Sequence, residues 1–108
     1  MTAAVRRRKS LGEFADGLKR DGYSMKSGAL LPGKSGVVHR FDLLAEKTEG
    51  GKRKMVVCMK ERGHNPVEEM VGLFAMAFDV DAEPCYAVRG SVDEGFAESY
   101  RITLVENE

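Results

Sequence analysis

The stretch GVVHRFDLLAEKTEGGKRKMVVCMKER, residues Gly36–Arg62, decides the fold because it contains two apolar strands around a Gly-Gly turn. The first strand carries one acid, Asp42, and the second ends in Lys60. Charged side chains inside otherwise apolar strands need a partner or a role in binding, since burying an unpaired charge is costly. We therefore expect a functional site in this hairpin.

The apolar residues of the hairpin alternate along each strand, as they do when one face is buried. The two alternating sets are Phe41, Leu43 and Ala45, and Met55, Val57 and Met59. If both sets share one face, a two-residue Gly-Gly turn gives the wrong pairing, and we expect a three-residue loop with a left-handed glycine. The same register places Asp42, Cys58 and Lys60 together on the opposite face.

The first helix has a clear start and stop. Ser10 and Glu13 form a capping box in front of apolar residues at helical spacing. We expect the helix to end near Arg20, where Gly22 can take the left-handed conformation. The preceding residues 1–9 are predicted to form a flexible basic arm, whose cations are Arg6, Arg7, Arg8 and Lys9.

Two further helices are marked downstream. Asn65 supplies a cap, and Pro66 follows at the first helical position. The predicted apolar stripe of this helix comprises Val67, Met70, Val71, Phe74 and Phe78. Ser91 begins a second capping box before a short helix that reaches about Ser99. The remaining strands are predicted over residues 23–31, 85–89 and 100–105.

The predicted order is helix, three strands, helix, strand, helix, strand. It indicates an α/β three-layer sandwich with a mixed five-stranded sheet and flanking helices. The strand at residues 85–89 should run parallel to the strand that ends at Lys60, which places Cys85 beside Cys58. With 108 residues in total, residues 10–108 are predicted to form one domain.

The composition is that of a soluble globular protein, with 43% hydrophobic and 31% charged residues. We find no apolar run long enough to span a bilayer and no signal-peptide segment, so the predicted location is cytoplasmic and no membrane partner is expected. Two cysteines without metal-ligand spacing are expected to be reduced thiols.

The charges are distributed unevenly along the chain. Residues 1–40 contain nine Lys or Arg and three acids, whereas residues 61–108 contain three Lys or Arg and eleven acids. This asymmetry favours a basic face for a polyanion such as DNA and an acidic face elsewhere. A surface on which the charges mix again in three dimensions is the alternative.

Several of these features together resemble a known family. They are Gly22-Tyr23 after the first helix, Ser35-Gly36, Asp42 in HRFDLLA, and VVCMK ending in Lys60. With the element order, they make residues 10–105 similar to the restriction-endonuclease-like, or PD-(D/E)XK, nucleases. The likeness is greatest to archaeal Holliday-junction resolvases and Mrr-type restriction domains. The resemblance implies DNA as the partner and is compatible with a homodimer.

The resemblance also implies roles for individual residues. Asp42 would bind a divalent metal, and Lys60 would contact the attacking water or the phosphate. Glu13 matches the helix glutamate of the resolvases, and Ser35 matches their loop serine. Phosphodiester hydrolysis needs a neutralised phosphate and a deprotonated water, and Mg²⁺ or Mn²⁺ held by carboxylates supplies both.

Cys58 departs from the family pattern, because it stands where a second acidic ligand is usual and a thiol binds Mg²⁺ poorly. Phe41 also replaces the proline before Asp42. Two functions therefore stay open. One is a weakened metal-dependent DNA nuclease, for which branched DNA is a candidate substrate. The other is an inactive nuclease-fold module without a cofactor that binds DNA or protein. The predicted nucleic-acid contacts are Arg6, Arg7, Arg8, Lys9, Lys34, Ser35 and Arg40.

Simpler interpretations remain for the same residues. Asp42 could be a strand-edge residue, and Lys60 could extend to water from a strand end. Glu13 is fully explained by its capping box. His39 and His64 fit ordinary surface positions. A small assembly protein with an acidic partner surface is the third functional hypothesis.

Overall fold

A computed structural model describes residues 8–107, and the eight elements follow the predicted order. They are α1 (Leu11–Arg20), β1 (Ser24–Pro32), β2 (Val38–Glu49), β3 (Lys52–Lys60), α2 (Pro66–Asp79), β4 (Glu83–Val88), α3 (Glu94–Ser99) and β5 (Thr103–Glu106). The predicted class, a mixed five-stranded sheet with flanking helices, is confirmed. Arg6 and Arg7 of the predicted arm lie outside the described residues.

The five strands lie side by side in chain order, β1-β2-β3-β4-β5. β1, β2 and β3 form an antiparallel meander, whereas β4 and β5 join parallel to β3 and to each other. The predicted parallel pairing of β3 with β4 is confirmed, and Cys58 lies directly opposite Cys85. Within residues 8–107, no helix has the length and apolar character needed to cross a membrane.

Both faces of the sheet are covered by apolar clusters. The α2-side cluster includes Phe41, Leu44, Val57, Leu73 and Tyr86. The α1-side cluster comprises Ala45, Val56, Cys58, Cys85, Ala87 and Val105, with Leu11, Phe14 and Leu18 of α1 packed against them. Strands buried on both faces carry apolar residues at successive positions, because neither face meets water.

The prediction of a three-residue hairpin loop is wrong. Glu49 pairs with Lys52, so Gly50-Gly51 forms a two-residue turn, with φ values of 59° and 78°. Such turns need positive φ at both central residues, which glycine adopts without strain. The expected shared face does not exist: Leu43 packs on the α1 side, whereas Val57 packs on the α2 side. Apolar residues on both faces do not fix the register.

The alternation of β2 changes face near Asp42. Phe41 and Leu44 both belong to the α2-side cluster although they are three residues apart, and Leu43 packs on the other side. In β1 the residue opposite Asp42 is Gly28, which has a φ of 63°. The residues before and after Gly28 are paired with β2. A local break in strand geometry changes the face on which the neighbouring side chains lie, and in β2 this break coincides with Asp42.

The helix starts are mostly as predicted. The capping box of Ser10 and Glu13 is present, with the Glu13 N–H donating to Ser10 Oγ at 3.1 Å. Asn65 caps α2, as predicted. The cap of α3 is Asp93 rather than Ser91, because the Asp93 carboxylate accepts an N–H of the first turn. Carboxylates and hydroxyls cap helices equally well, so the sequence does not distinguish the two positions.

The predicted apolar stripe of α2 is partly wrong. The buried residues are Met70, Leu73 and Ala77, whereas the side chains of Val71 and Phe78 point outward, and these residues are 51% and 67% exposed. Since α2 is apolar on nearly every side, its periodicity does not identify the buried face.

The turn between β1 and β2 is attached to the end of α2. The Lys34 N–H donates to the Asp79 carbonyl at 2.9 Å, and the Gly36 N–H donates to the Gly33 carbonyl at 3.0 Å. A Cβ atom on Gly33 would overlap the Asp79 carboxylate. Gly33 is therefore required by close packing.

We predict that Gly33→Ala lowers the free energy of unfolding by about 1–3 kcal/mol, because the added methyl group must displace Asp79. Gly17→Ala in α1 is the matched control, since its Cβ would make only an ordinary contact at 3.9 Å. The control should keep or raise stability, as alanine favours helices. Urea denaturation of both variants measures the difference, and equal stability of the two would contradict the packing argument.

Candidate functional site

Asp42 lies where β2 diverges from β3. The ladder between these strands ends with the pair Leu43 and Cys58, while β3 continues beside β4 as far as Lys60. The Lys60 backbone N–H donates to Asp42 Oδ2 at 2.8 Å. A side-chain carboxylate thus takes the place of a backbone acceptor at the end of β3.

Two guanidinium groups complete the surroundings of Asp42. Arg62 Nη2 lies 3.0 and 3.1 Å from the two carboxylate oxygens, and Arg40 Nη1 lies 3.1 Å from Oδ1. Burial is the largest single influence and raises the pKa of Asp42. The hydrogen bonds from the Lys60 N–H, Arg40 and Arg62 together outweigh burial, and the pKa is lowered below its usual 3.8. Asp42 is therefore an anion that cations and an N–H group already neutralise.

Glu69 fixes the loop that carries Arg62. Its carboxylate accepts the backbone N–H groups of Arg62 at 2.8 Å and His64 at 2.9 Å. It also accepts the hydroxyl of Tyr86 at 2.9 Å. Burial raises the pKa of Glu69, but these hydrogen bonds lower it overall. Burial and the bond to Glu69 raise the pKa of Tyr86, so the phenol remains a donor.

Cys58 and Cys85 are free, fully buried thiols on neighbouring parallel strands. Their contact and their burial raise the pKa of Cys85. Both belong to the apolar cluster beneath α1. A neutral thiol in such surroundings contributes no charge to a site at Asp42, and hard cations such as Mg²⁺ prefer oxygen ligands.

Ser35, His39 and Asp79 form a second polar cluster. Asp79 lies in the centre: its carboxylate accepts the Ser35 N–H at 2.9 Å and the Ser35 hydroxyl at 2.6 Å, and it lies 2.7 Å from His39 Nε2. A hydrolytic triad needs the histidine between the serine and the acid. Since the acid occupies that position, the cluster attaches the β1–β2 turn to α2.

Among the described residues, three of the cations predicted to bind nucleic acid are paired with acids: Arg8, Lys34 and Arg40. Arg8 contacts Glu106 at 2.9 Å, and Lys34 contacts Asp81 at 3.0 Å. The Lys9 carbonyl accepts the N–H of Glu106. The last two residues of the predicted arm therefore lie against β5, and Arg40 is the predicted contact that lies beside Asp42.

The residues present do not fit the divalent metal that the resemblance implies. Asp42 is occupied by cations, Cys58 is buried among apolar residues, and Glu13 accepts the Ser10 N–H at 3.3 Å within its capping box. In the part of the chain that the structure describes, no group of three or more His, Cys, Asp or Glu side chains is placed to hold a metal ion.

The two polar clusters depend on three residues that the sequence alone does not single out. Arg62 and Glu69 belong to the surroundings of Asp42, and Asp79 is the centre of the second cluster. Arg62 follows Lys60 by two positions, which is the only local signal that it could lie near the same strand end. Glu69 and Asp79 lie in α2, and their contacts reach residues that are far away in sequence. Such contacts follow from tertiary structure and not from a local pattern.

No family model and no curated protein matches this chain. Among solved structures, it is similar to a crystal structure described as the protein of unknown function AF1548. The TM-score is 0.58 at 22% identity, and the match covers 85% of this chain and 53% of that chain. This chain thus spans about half the length of that protein. The likeness shows a shared fold.

We predict that Asp79 contributes an acid-sensitive part of the stability. Hydrogen bonds from the Ser35 hydroxyl, then His39 and the Ser35 N–H, lower the pKa of Asp79 from 3.8 to about 2. Because the pKa is lower in the folded protein than in the unfolded chain, this stabilisation is complete at pH values above 3.8. It is lost as the pH falls from 3.8 towards 2. Wild type should therefore lose more stability than Asp79→Asn across this window.

Urea denaturation at about pH 5 and at about pH 2.5 measures this difference. Other carboxylates titrate in both proteins, so the difference between wild type and variant isolates Asp79. Parallel losses of stability in the two proteins would contradict the assignment.

Proposed function

We propose that this protein is a nuclease-fold, DNA-binding module that does not cleave its ligand. The observation that carries the proposal is the state of Asp42, which is bound by two guanidinium groups and by the Lys60 N–H. A metal-binding carboxylate must have oxygens available for the ion. The burial of Cys58 in an apolar cluster supports the same conclusion.

The cation surface, defined as Arg40, Lys60 and Arg62, is the proposed contact with DNA. The side chains of Arg40 and Arg62 are 57% and 46% exposed, and Lys60 is exposed. Asp42 and Glu69 are carboxylates bound to this surface, and each offsets part of its positive charge. Each guanidinium has five N–H donors, so those not directed at Asp42 can bind phosphate oxygens.

The charge distribution and the resemblance to PD-(D/E)XK nucleases support DNA as the ligand. Contacts from Arg and Lys to phosphates give affinity without reading the base sequence. Glu69 holds the backbone on either side of Gly63 through the Arg62 and His64 N–H groups, which reduces the conformational freedom that Arg62 would lose on binding.

We predict that Lys60→Ala weakens binding to a DNA duplex and lowers the slope of log affinity against log salt by about one, as expected for one lost phosphate contact. Lys60→Ala is the cleanest variant because Lys60 contacts Asp42 through its backbone N–H, which the substitution retains. Arg40→Ala and Arg62→Ala should act in the same direction.

Fluorescence anisotropy of labelled duplex DNA over a range of salt concentrations measures both effects. Arg20→Ala is the matched control, because Arg20 is an exposed cation at the end of α1. Thermal melts of each variant separate weakened binding from weakened folding. An affinity that does not change with salt, or an equal loss with Arg20→Ala, would reject the cation surface and favour a protein-binding role.

A weakened metal-dependent nuclease is the competing proposal, and it predicts a different result. We expect supercoiled plasmid and four-way junction DNA to stay intact with Mg²⁺ or Mn²⁺, and we expect neither ion to raise the melting temperature. Cleavage that disappears in Asp42→Ala would overturn the non-catalytic proposal. An Asp42→Ala preparation purified in parallel also controls for contaminating nucleases.

A further inference from the structure

A small cavity lies between β3 and α2, next to the cation surface. It has a volume of about 100 Å³. Its apolar lining comes from four side chains, Met59, Leu73, Met76 and Tyr86. Lys60 and Arg62 line it as well and are exposed, so the cavity opens to water at the surface that is proposed to hold phosphates.

The missing side chain of Gly72 leaves this cavity unfilled. Gly72 lies in the middle of α2, although glycine is disfavoured in a helix interior. Close packing does not require it. Apart from its chain neighbours and the helix backbone, no atom of the described residues lies within 4 Å of the position that a Cβ would take. Because residue 72 lines the cavity, a larger side chain there would occupy part of its space.

The polar groups deepest in the cavity are already paired with each other. The Tyr86 hydroxyl donates to Glu69, which also accepts two backbone N–H groups. A group held here therefore gains contact with apolar side chains rather than hydrogen bonds. Two of these side chains are the methionines Met59 and Met76, and thioether sulfur atoms make favourable contacts with aromatic rings. The lining thus favours an aromatic ring over an aliphatic chain.

Size and charge restrict the occupant further. An apolar cavity of about 150 Å³ binds one benzene molecule, so an open cavity of about 100 Å³ has room for a single ring and not for two fused rings. Lys60 and Arg62 at its mouth favour a ring that is attached to an anion. A pyrimidine base with its phosphate meets both conditions, whereas an apolar peptide side chain brings no anion.

We propose that this cavity binds one unpaired pyrimidine base of a DNA strand whose phosphates contact the cation surface. The inference rests on the proposed DNA contact and adds to it a preference for DNA in which a base is free to leave the stack. A base inside a continuous duplex must first be unpaired and unstacked, which costs free energy. Since no hydrogen bond reads the edge of the base, the cavity selects ring size and not sequence.

The first test compares two duplexes that differ by one base. Each has a single extra nucleotide in one strand, which is a thymidine in one duplex and an abasic residue in the other. Both carry the same phosphates and the same interruption of the stack. Fluorescence anisotropy should show about tenfold tighter binding of the thymidine bulge, as expected when one base gains a stacking contact. A bulged adenosine should gain less, because its two rings exceed the cavity.

Gly72→Leu is the variant that fills the cavity. It should lose the preference for the thymidine bulge but keep the affinity for the abasic duplex and its salt dependence, because the cation surface is unchanged. Its melting temperature should be equal or higher, since leucine favours a helix more than glycine does. Ala75→Leu is the matched control at an exposed position of the same helix outside the cavity, and it should keep the preference.

A second measurement uses the unaltered chain and so does not depend on the folding of a variant. With ¹³C-labelled methionine methyl groups, the thymidine bulge should shift the NMR resonances of Met59 and Met76 more than the abasic bulge does. The reason is that the ring current of an aromatic base acts on the nuclei beside it. Met25 is the internal control, because it packs on the α1 side of the sheet.

Failure of this inference differs from failure of the proposed function. Equal affinity for the thymidine and abasic bulges, with binding that still weakens as salt is added, would overturn the base-binding cavity and leave the DNA contact in place. A preference that persists in Gly72→Leu, or an equal gain with adenosine, would overturn it as well. Thymidine monophosphate that binds as tightly as the bulged duplex would assign the cavity to free nucleotides instead. Absence of salt-dependent binding to either duplex would reject the DNA contact and this inference together.

Discussion

The Asp42 carboxylate occupies the point at which β2 separates from β3, and it serves both the strand end and the surface above it. The Lys60 N–H, which donates to it at 2.8 Å, would otherwise lack the acceptor that a continuing ladder provides. Unpaired backbone N–H groups are costly unless water reaches them. The same carboxylate offsets the repulsion between Arg40 and Arg62. One acid therefore sets where the strand ends and where these cations lie.

Glu69 extends this arrangement into the core. It binds two N–H groups of the loop after β3 and the hydroxyl of Tyr86, which is 1% exposed. A buried phenol needs an acceptor, and a loop held at two N–H groups has little freedom. The start of α2, the middle of β4 and the position of Arg62 are thus determined together. The loop that carries Arg62 is therefore held in place from the core.

The element order and most helix starts could be predicted because their signals are local, as in the capping box of Ser10 and Glu13 and the cap at Asn65. The β2–β3 register could not be read from alternating apolar residues, since helices cover both faces of the sheet. The Gly-Gly dipeptide itself indicated the correct two-residue turn. Contacts such as Arg62 with Asp42 and Tyr86 with Glu69 join distant parts of the chain, so no spacing rule reveals them.

The cluster around Asp79 connects the β1–β2 turn to the outer side of α2. By holding Ser35 and the Lys34 backbone, it places the Lys34 side chain over Phe78. The exposed contact of Lys34 with Asp81 contributes only about 0–1 kcal/mol. Moving the turn would break the Asp79 hydrogen bonds, so these bonds, and not the contact of Lys34 with Asp81, hold the turn in place. A residue predicted to bind nucleic acid is therefore held against Phe78 and Asp81 of its own chain.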